Sequence, residues 1–448
     1  MAGFSSIFSR PVLTYLKWAA KAQLAKRKTL IIGVTGSAGK TSTLASLEAL
    51  LKETRTLKVS HKANSESGIP LNILGLSPET FSKKEWLKLL ASVPAQLITS
   101  WPKHDTYIVE MGIDSPFAPK NMSHLLSIIR PDIGIFLNVA AVHAQAFDQV
   151  VEETNSIARH EAIKKSIAAE KGKLIESLPK TGLAVLNADD PQVIAFRSRA
   201  KSNVATFGAN SSNTVWFEPV EQSLDGTLIH FHAQKQVATL HLKSYLLPDH
   251  FAYSFAAGLC VALHLGQSLA EAVEHLQNNF VLPPGRSTLI PGIKGSLLLD
   301  SSYNASAQPT IEALQLVHKL KPKQGIALLG DMREIGLLSE QEHRKVADVC
   351  LETTKAVFLV GPMMKQYVLP VLQQHNHPVS WHPNALDAAQ ACERTLKVGD
   401  LVLIKGSQNT LFLESATKHL MRHKDKAHTL LCRQTSFWEK QRAQTMKH

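Results

Sequence analysis

Two α/β units, each a mainly parallel sheet covered by helices, are what this sequence of 448 residues predicts. Three observations carry that expectation. From Thr29 onward, apolar runs of strand length alternate with helical stretches. The first of those runs enters a glycine-rich turn that opens a helix, Gly33-Val34-Thr35-Gly36-Ser37-Ala38-Gly39-Lys40-Thr41-Ser42. The alternation then restarts after Pro283-Pro284-Gly285, a natural boundary.

Taken in order, residues 1–28 read as one basic amphipathic helix, with Leu13, Leu16, Ala20 and Leu24 on one side and Lys17, Lys21 and Arg27 reaching water. Packing on the first domain is the favoured role for it, and weak attachment to an anionic membrane surface the sharper alternative. Residues 29–284 form the first α/β domain. Strands are expected at Thr29–Thr35, Thr106–Glu110, Ile133–Asn138 and Gly182–Asn187, and helices at Lys40–Lys52 and Glu161–Leu178. Asn203–His241 reads as an antiparallel insert of short strands, with turns at Gly208–Asn213 and Asp225-Gly226. A helix pair, Phe251–Leu265 and Leu269–Phe280, follows. Residues 285–448 form the second domain, of nucleotide-fold type, with strands at Ser296–Asp300, Gly325–Leu329, Ala356–Val360 and Leu401–Ile404.

Composition narrows the class. With 44% hydrophobic and 19% charged residues the chain is ordinarily globular, and no apolar run is long enough to cross a bilayer. Met1–Arg10 lacks the basic-then-apolar order of a secretory signal, so a cytoplasmic location is expected. Cys260, Cys350, Cys392 and Cys432 are scattered without CxxC spacing, which points to buried reduced thiols rather than zinc or disulfides. The net charge of +12 suits an anionic partner. Its basic residues are spread along the chain without arginine–aromatic interleaving, so no nucleic-acid partner is expected.

The turn at residues 33–42 is a phosphate loop. Its glycines let backbone N–H groups approach phosphate oxygens, and the helix N-terminus favours negative charge. Gly36, Ser37, Gly39, Lys40, Thr41 and Ser42 are the candidate nucleotide contacts, with Lys40 reaching the terminal phosphates and Thr41 offering its hydroxyl to Mg²⁺. The glycine that the common GxxxxGK spacing requires at position 34 is valine here; the glycines fall at 33 and 36. ATP is the expected cofactor. A phosphate loop alone does not separate a motor, a kinase and a ligase.

A longer ordered set does. The loop variant GxTGSxGKTS is followed by Asn64-Ser65-Glu66-Ser67-Gly68-Ile69-Pro70-Leu71, Val109-Glu110-Met111-Gly112 and Asn138-Val139-x-x-x-His143. Ile167-Ala168-x-Glu170-Lys171-Gly172 and Leu186-Asn187-x-Asp189-Asp190 come next. The second half supplies Gly285-Arg286, Asp300-Ser301-Ser302-Tyr303-Asn304-Ala305, Gly330-Asp331-Met332-x-Glu334-Ile335-Gly336 and Lys405-Gly406-Ser407. Together these resemble the Mur ligase superfamily, and within it the branch that adds D-alanyl-D-alanine to a cell-wall precursor. The resemblance runs from Thr29 nearly to the C-terminus and implies a P-loop central domain followed by a Rossmann-like C-terminal domain.

It also implies a reaction and a site. A substrate carboxylate is phosphorylated by ATP to an acyl phosphate, which an amine then converts to an amide. By resemblance Thr41 and Glu110 hold one Mg²⁺ and His143 helps hold a second. Lys171 matches a lysine that is often carbamylated into a metal ligand, so Lys40, Lys171 and His143 are the implied catalytic residues. Asn187, Arg286, Asp300 and Asn304 are implied nucleotide contacts, with domain closure bringing Arg286 and Asp300 over ATP, and Lys405-Gly406-Ser407 is linked to the amine substrate. Read as residues alone, Lys171 is a solvated helix lysine, Glu110 a strand-end surface acid, His143 a core or capping histidine and Asp300 a helix N-cap.

The sequence also departs from the family. Only a short helix precedes the loop, where the branch carries a domain for the uridine-diphosphate sugar. Ser254 stands at an asparagine position near adenine, and Gln408 where an arginine follows Lys-Gly-Ser. The expected protein is therefore a monomeric ATP-dependent acid–amino acid ligase with small-molecule substrates, a carboxylate acceptor and an amine such as D-alanyl-D-alanine. The alternatives are a superfamily ligase with a lipid-linked, folate or poly-amino-acid acceptor, and a non-catalytic ATP-binding scaffold.

Overall fold

The computed structural model describes residues 6–445 except 62, 78–82, 141–144, 149, 152, 154–155, 334–338 and 408–410. Two compact units emerge. The first comprises Met1–Val220, Ile229–Leu240 and Pro248–Val281; the second comprises Glu221–Leu228, His241–Leu247 and Leu282–His448.

The first unit begins with helix α1 (Ser6–Leu24), which leads into strand β1 (Leu30–Thr35) and helix α2 (Lys40–Leu51). Then follow β2 (Leu57–Val59), α3 (Gly68–Leu74), α4 (Lys83–Thr99), β3 (Thr106–Glu110), α5 (Met122–Ile128), β4 (Ile133–Phe136), α6 (Gln145–Asp148), α7 (Ser156–Glu176), β5 (Leu183–Asn187) and α8 (Pro191–Ile194). The chain continues through β6 (Asn203–Gly208), β7 (Val215–Phe217), β8 (Glu221–Ser223), β9 (Gly226–Ala233), β10 (Gln236–Leu242), α9 (His250–His264) and α10 (Leu269–Asn279).

Its sheet runs β10-β9-β7-β6-β5-β4-β1-β3-β2, with β8 attached to β9. Strands β1, β3, β4 and β5 are buried almost throughout, as continuous apolar runs between helical layers must be. The parallel α/β class is as the sequence predicts. The insert is only partly so, because β6 pairs parallel with both β5 and β7. Antiparallel pairing does occur further along the insert, at β7–β9 and β8–β9. Residues Ala205–Gly208 of β6 are buried on both faces, and strand-length apolar character by itself does not fix the direction of the neighbouring strand.

Helix α1 turns Leu16 and Ala19 inward to cluster with Leu71 and Leu74 of α3 and Val93 of α4, while Ala20 joins a neighbouring cluster with Ile69 and Ile73 of α3. The face read from the sequence as apolar is thus consumed by packing. Helices α3 and α4 lie outside the elements that the sequence pattern picked out.

The second unit contains β11 (Thr288–Pro291), β12 (Leu297–Ser301), α11 (Ala307–Lys319), β13 (Gly325–Gly330), α12 (Ser339–Thr353), β14 (Ala356–Val360), α13 (Leu369–Gln374), β15 (Val379–His382), α14 (Ala385–Thr395), β16 (Leu401–Lys405), α15 (Glu414–Leu420), α16 (Ala427–Leu430) and α17 (Ser436–Thr445). Its sheet order is β11-β12-β16-β13-β14-β15, parallel except for the antiparallel edge strand β11. The four central strands are those expected. Buried clusters on the two faces, one around Leu314, Val346 and Leu359 and the other around Ala388, Ile404 and Ala416, close the core. No helix among the described residues is long and apolar enough to cross a membrane.

Candidate active site

Strand β1 delivers the chain into the phosphate loop with Thr35 fully buried, its hydroxyl donating to the Met111 carbonyl. Gly39 then caps α2 in a left-handed conformation, φ 82°, which favours glycine. Gly36 is needed for a different reason: a Cβ there would meet Leu137 Cβ at 2.9 Å. The loop is fastened by Asn138. Its side-chain oxygen accepts from Ser37 N at 3.0 Å and Ala38 N at 2.8 Å, while its amide donates to the Ala38 carbonyl at 3.2 Å. Ser37 Oγ in turn donates to the Ala140 carbonyl and accepts from Ala140 N.

Two lysines meet at this loop. Lys40 Nζ donates to the Gly36 carbonyl at 2.8 Å, and Lys171 Nζ, arriving from α7, donates to the same oxygen at 3.1 Å. Lys171 is buried, not solvated, at 5% exposure. Burial and then the Lys40 charge push its ammonium down to about 7, against the pull of Asp114 and Glu110. Burial also lowers Lys40, with Glu110 and Asp114 acting in the opposite direction.

Glu110 ends β3 and is buried, so it is not a surface acid. One carboxylate oxygen accepts from Thr41 Oγ1 at 3.3 Å and the other from Asn64 Nδ2 at 3.1 Å, while its backbone N–H donates to Ser60 Oγ at 2.8 Å. Ser42 lies half-buried in the first turn of α2. Lys40, Thr41, Glu110 and Lys171 therefore come together around Gly36. His143 lies outside the described residues, as does Gln408. Sequence reasoning missed Asp114, whose charge acts on both lysines. Its only sequence signal is its place just past the Glu110-Met111-Gly112 strand exit.

Beside the loop lies an open cleft of about 480 Å³ lined by Val139, Asn187, Asp189, Gln192 and Tyr253 among others. Asn187 is committed within it, donating to the Leu137 carbonyl at 2.8 Å and accepting from Asp189 N at 3.0 Å. Tyr253 donates to Asp189 Oδ2 at 2.9 Å. Ser254, at the asparagine position, is buried with its hydroxyl 3.5 Å from the Gly39 carbonyl.

In the second unit, Arg286 is exposed and its guanidinium lies 4.7 Å from the Tyr303 ring centroid. Asp300 is wholly buried near the end of β12, and Ser306, not Asp300, occupies the N-cap position of α11. Its Oδ1 accepts from Thr417 Oγ1 at 3.1 Å and from Ser302 N at 3.3 Å; its Oδ2 has no partner among the described residues. Burial raises this carboxyl to about 6. Asn304 is exposed, and its carbonyl accepts from Lys405 Nζ at 3.1 Å. Lys405 is buried, and that burial lowers it to about 8. Ser407 is used locally, donating through both N–H and hydroxyl to the Asp331 carbonyl.

A glycine-rich loop opening a helix, two lysines converging on it and a carboxylate at the neighbouring strand end define an ATP-using enzyme of the P-loop α/β class. The chain belongs to the Mur ligase family, the Mur ligase middle domain matching residues 34–262 and the Mur ligase glutamate ligase domain residues 285–408. It is an ATP-dependent ligase. The UDP-N-acetylmuramoyl-tripeptide–D-alanyl-D-alanine ligase of Bacillus subtilis is 26% identical over 414 residues, 91% of this chain and 79% of that protein. The ligase of the same name from Escherichia coli is 25% identical over 329 residues, 71% of this chain and 61% of that protein. The MurF ligase of Thermotoga maritima, solved in complex with ADP, shares the fold with a TM-score of 0.66 at 23% identity, covering 93% of this chain and 85% of that one.

Proposed function

We propose that this enzyme joins the terminal carboxylate of a UDP-N-acetylmuramoyl tripeptide to the amine of D-alanyl-D-alanine. The observation that carries the reading is the convergence of Lys40, Lys171, Thr41 and Glu110 at Gly36, supported by the ligases to which the chain is similar. A tripeptide carboxylate oxygen attacks the γ-phosphorus of ATP, the bond to the β–γ bridging oxygen breaks, and ADP leaves. The D-alanyl-D-alanine amine then attacks the acyl carbon and inorganic phosphate departs.

The chain's own groups suit both steps, because each concentrates negative charge. Lys40 supplies a cation at the loop that receives the terminal phosphates. The hydroxyl of Thr41 and the carboxylate of Glu110 form an oxygen donor pair that fits a hard divalent cation. Mg²⁺, when bound there, neutralises phosphate charge. Lys171 as an ammonium is no metal ligand. Held near neutrality it presents an uncharged amine, which adds to CO₂ with loss of a proton to give an anionic carbamate. That oxygen ligand would complete the set, together with His143. Asp300, Arg286 and Asn304 are assigned to the nucleotide on the family resemblance.

The test is phosphate release from Mg-ATP with UDP-N-acetylmuramoyl tripeptide, with and without D-alanyl-D-alanine, using Lys40→Ala as control. Release that needs both substrates, with the amide seen by mass spectrometry, is the expected result. Release with another acceptor, but none with this one, overturns the assignment.

A further inference from the structure

Helix α4 turns Trp86, Leu90, Val93 and Leu97 toward α1 and α3. Its other face is also apolar, and it is exposed. Leu87 is 69% exposed and Ile98 77%, with Ala91, Pro94 and Ala95 exposed between them at helical spacing. The stripe continues into Trp101, 64% exposed, beyond the end of the helix. A soluble helix normally presents polar residues here. An exposed contiguous apolar strip with a polar rim marks an interaction surface.

The rim is strongly basic. Residues 10–28 carry six basic and no acidic side chains, and residues 84–103 carry three basic and one acidic. The two segments are locked together at one end. Lys26 donates to the carbonyls of Leu97 and Ser100 and lies 5.3 Å from the centroid of the Trp101 ring, and Gln23 also reaches the Ser100 carbonyl.

We propose that the outward face of α4, with Trp101 and the basic residues of α1, docks this enzyme on an anionic lipid surface. Leu and Ile side chains enter the acyl boundary, indoles prefer the headgroup level, and lysines neutralise lipid charge. At 1.5 Å per residue α4 is about 25 Å long, enough to lie along the interface. The attachment is peripheral, since no described helix is fit to span a bilayer. It uses α4 rather than the apolar face of α1, which is buried. An acidic protein groove would satisfy the lysines but gives no reason for an exposed indole that continues an aliphatic stripe.

Flotation of the full chain with vesicles tests this independently of the acceptor substrate. Binding is expected to vesicles of mixed phosphatidylglycerol and phosphatidylcholine, to fall with salt, and to be absent for phosphatidylcholine alone. Ile98→Glu with Leu87→Glu should lower partitioning roughly tenfold or more by removing two buried aliphatic groups, with ligase activity in solution unchanged. Failure of the wild-type chain to float with anionic vesicles overturns the proposal. So does binding that the double variant retains, or binding that heparin reproduces equally in both proteins, which would mark a general polyanion surface.

Discussion

Lys40 and Lys171 share one acceptor, the carbonyl oxygen of Gly36, although they come from helices 131 positions apart in the chain. Burial, and after it repulsion by the Lys40 ammonium, disfavours the charged form of Lys171. That makes its chemistry testable. Lys171→Ala should lose most phosphate release while keeping its fold by circular dichroism. Short carboxylic acids such as acetate should restore part of the activity by replacing a carboxylate ligand. Full activity in the unrescued variant would remove Lys171 from the mechanism.

Gly172, next to it in α7, is required for packing. A Cβ at this position would lie 1.9 to 2.5 Å from three atoms of the Phe196 ring. Gly172→Ala should cost about 3 kcal/mol of stability, at the upper end for overpacking a core. Adding Phe196→Leu should recover much of the loss in a chemical-denaturation experiment. Equal stability of Gly172→Ala and wild type would contradict the close contact.

Asp300 sets a pH dependence. Its carboxyl is raised from 3.8 to about 6, so between those values the folded chain holds a proton that the unfolded chain has released. Its contribution to stability is therefore complete below pH 3.8 and lost as pH rises through 6. Asp300→Asn removes that titration and should gain roughly 1–2 kcal/mol at pH 8, after desolvation of the new amide donor. The readout is Tm against pH for both proteins. Parallel profiles would refute the assignment.

The Arg433–Glu414 pair should act as a buried clamp. Its oxygens and nitrogens meet at 3.0 and 2.9 Å with both side chains nearly inaccessible, and Arg433 also donates to the Ser302 and Tyr303 carbonyls. Arg433→Met leaves Glu414 with Arg442 alone at 3.4 Å and should cost about 3–5 kcal/mol. The double variant Arg433→Met, Glu414→Leu should be more stable than the single one, because no charge is stranded. Thermal unfolding of both variants decides it.

Much of the central architecture was legible because it is locally encoded. Strand β3 carries the apolar run Tyr107-Ile108-Val109 into a charged end, and β1 runs straight into its glycine turn. Strands β11 and β15 were not legible. Thr288–Pro291 ends in proline and is ordered by pairing with β12, while Val379–His382 is half-buried and polar at two of four positions. Helix α4 was hidden because its apolar residues encircle it, which blurs a one-sided periodicity. At the site, the phosphate loop could be read from its own residues. The Thr41–Glu110 and Lys171–Gly36 contacts span 69 and 135 positions, so only resemblance to a family brought them together beforehand.

Asn138 ties the phosphate loop to the chain leaving β4 by three hydrogen bonds. A loop stitched in this way cannot be retuned in isolation. A change to Asn138 will reposition the amides of Ser37 and Ala38. The shape of the turn that opens α2 is thus written partly about a hundred residues further along the chain, and the two segments have to vary together.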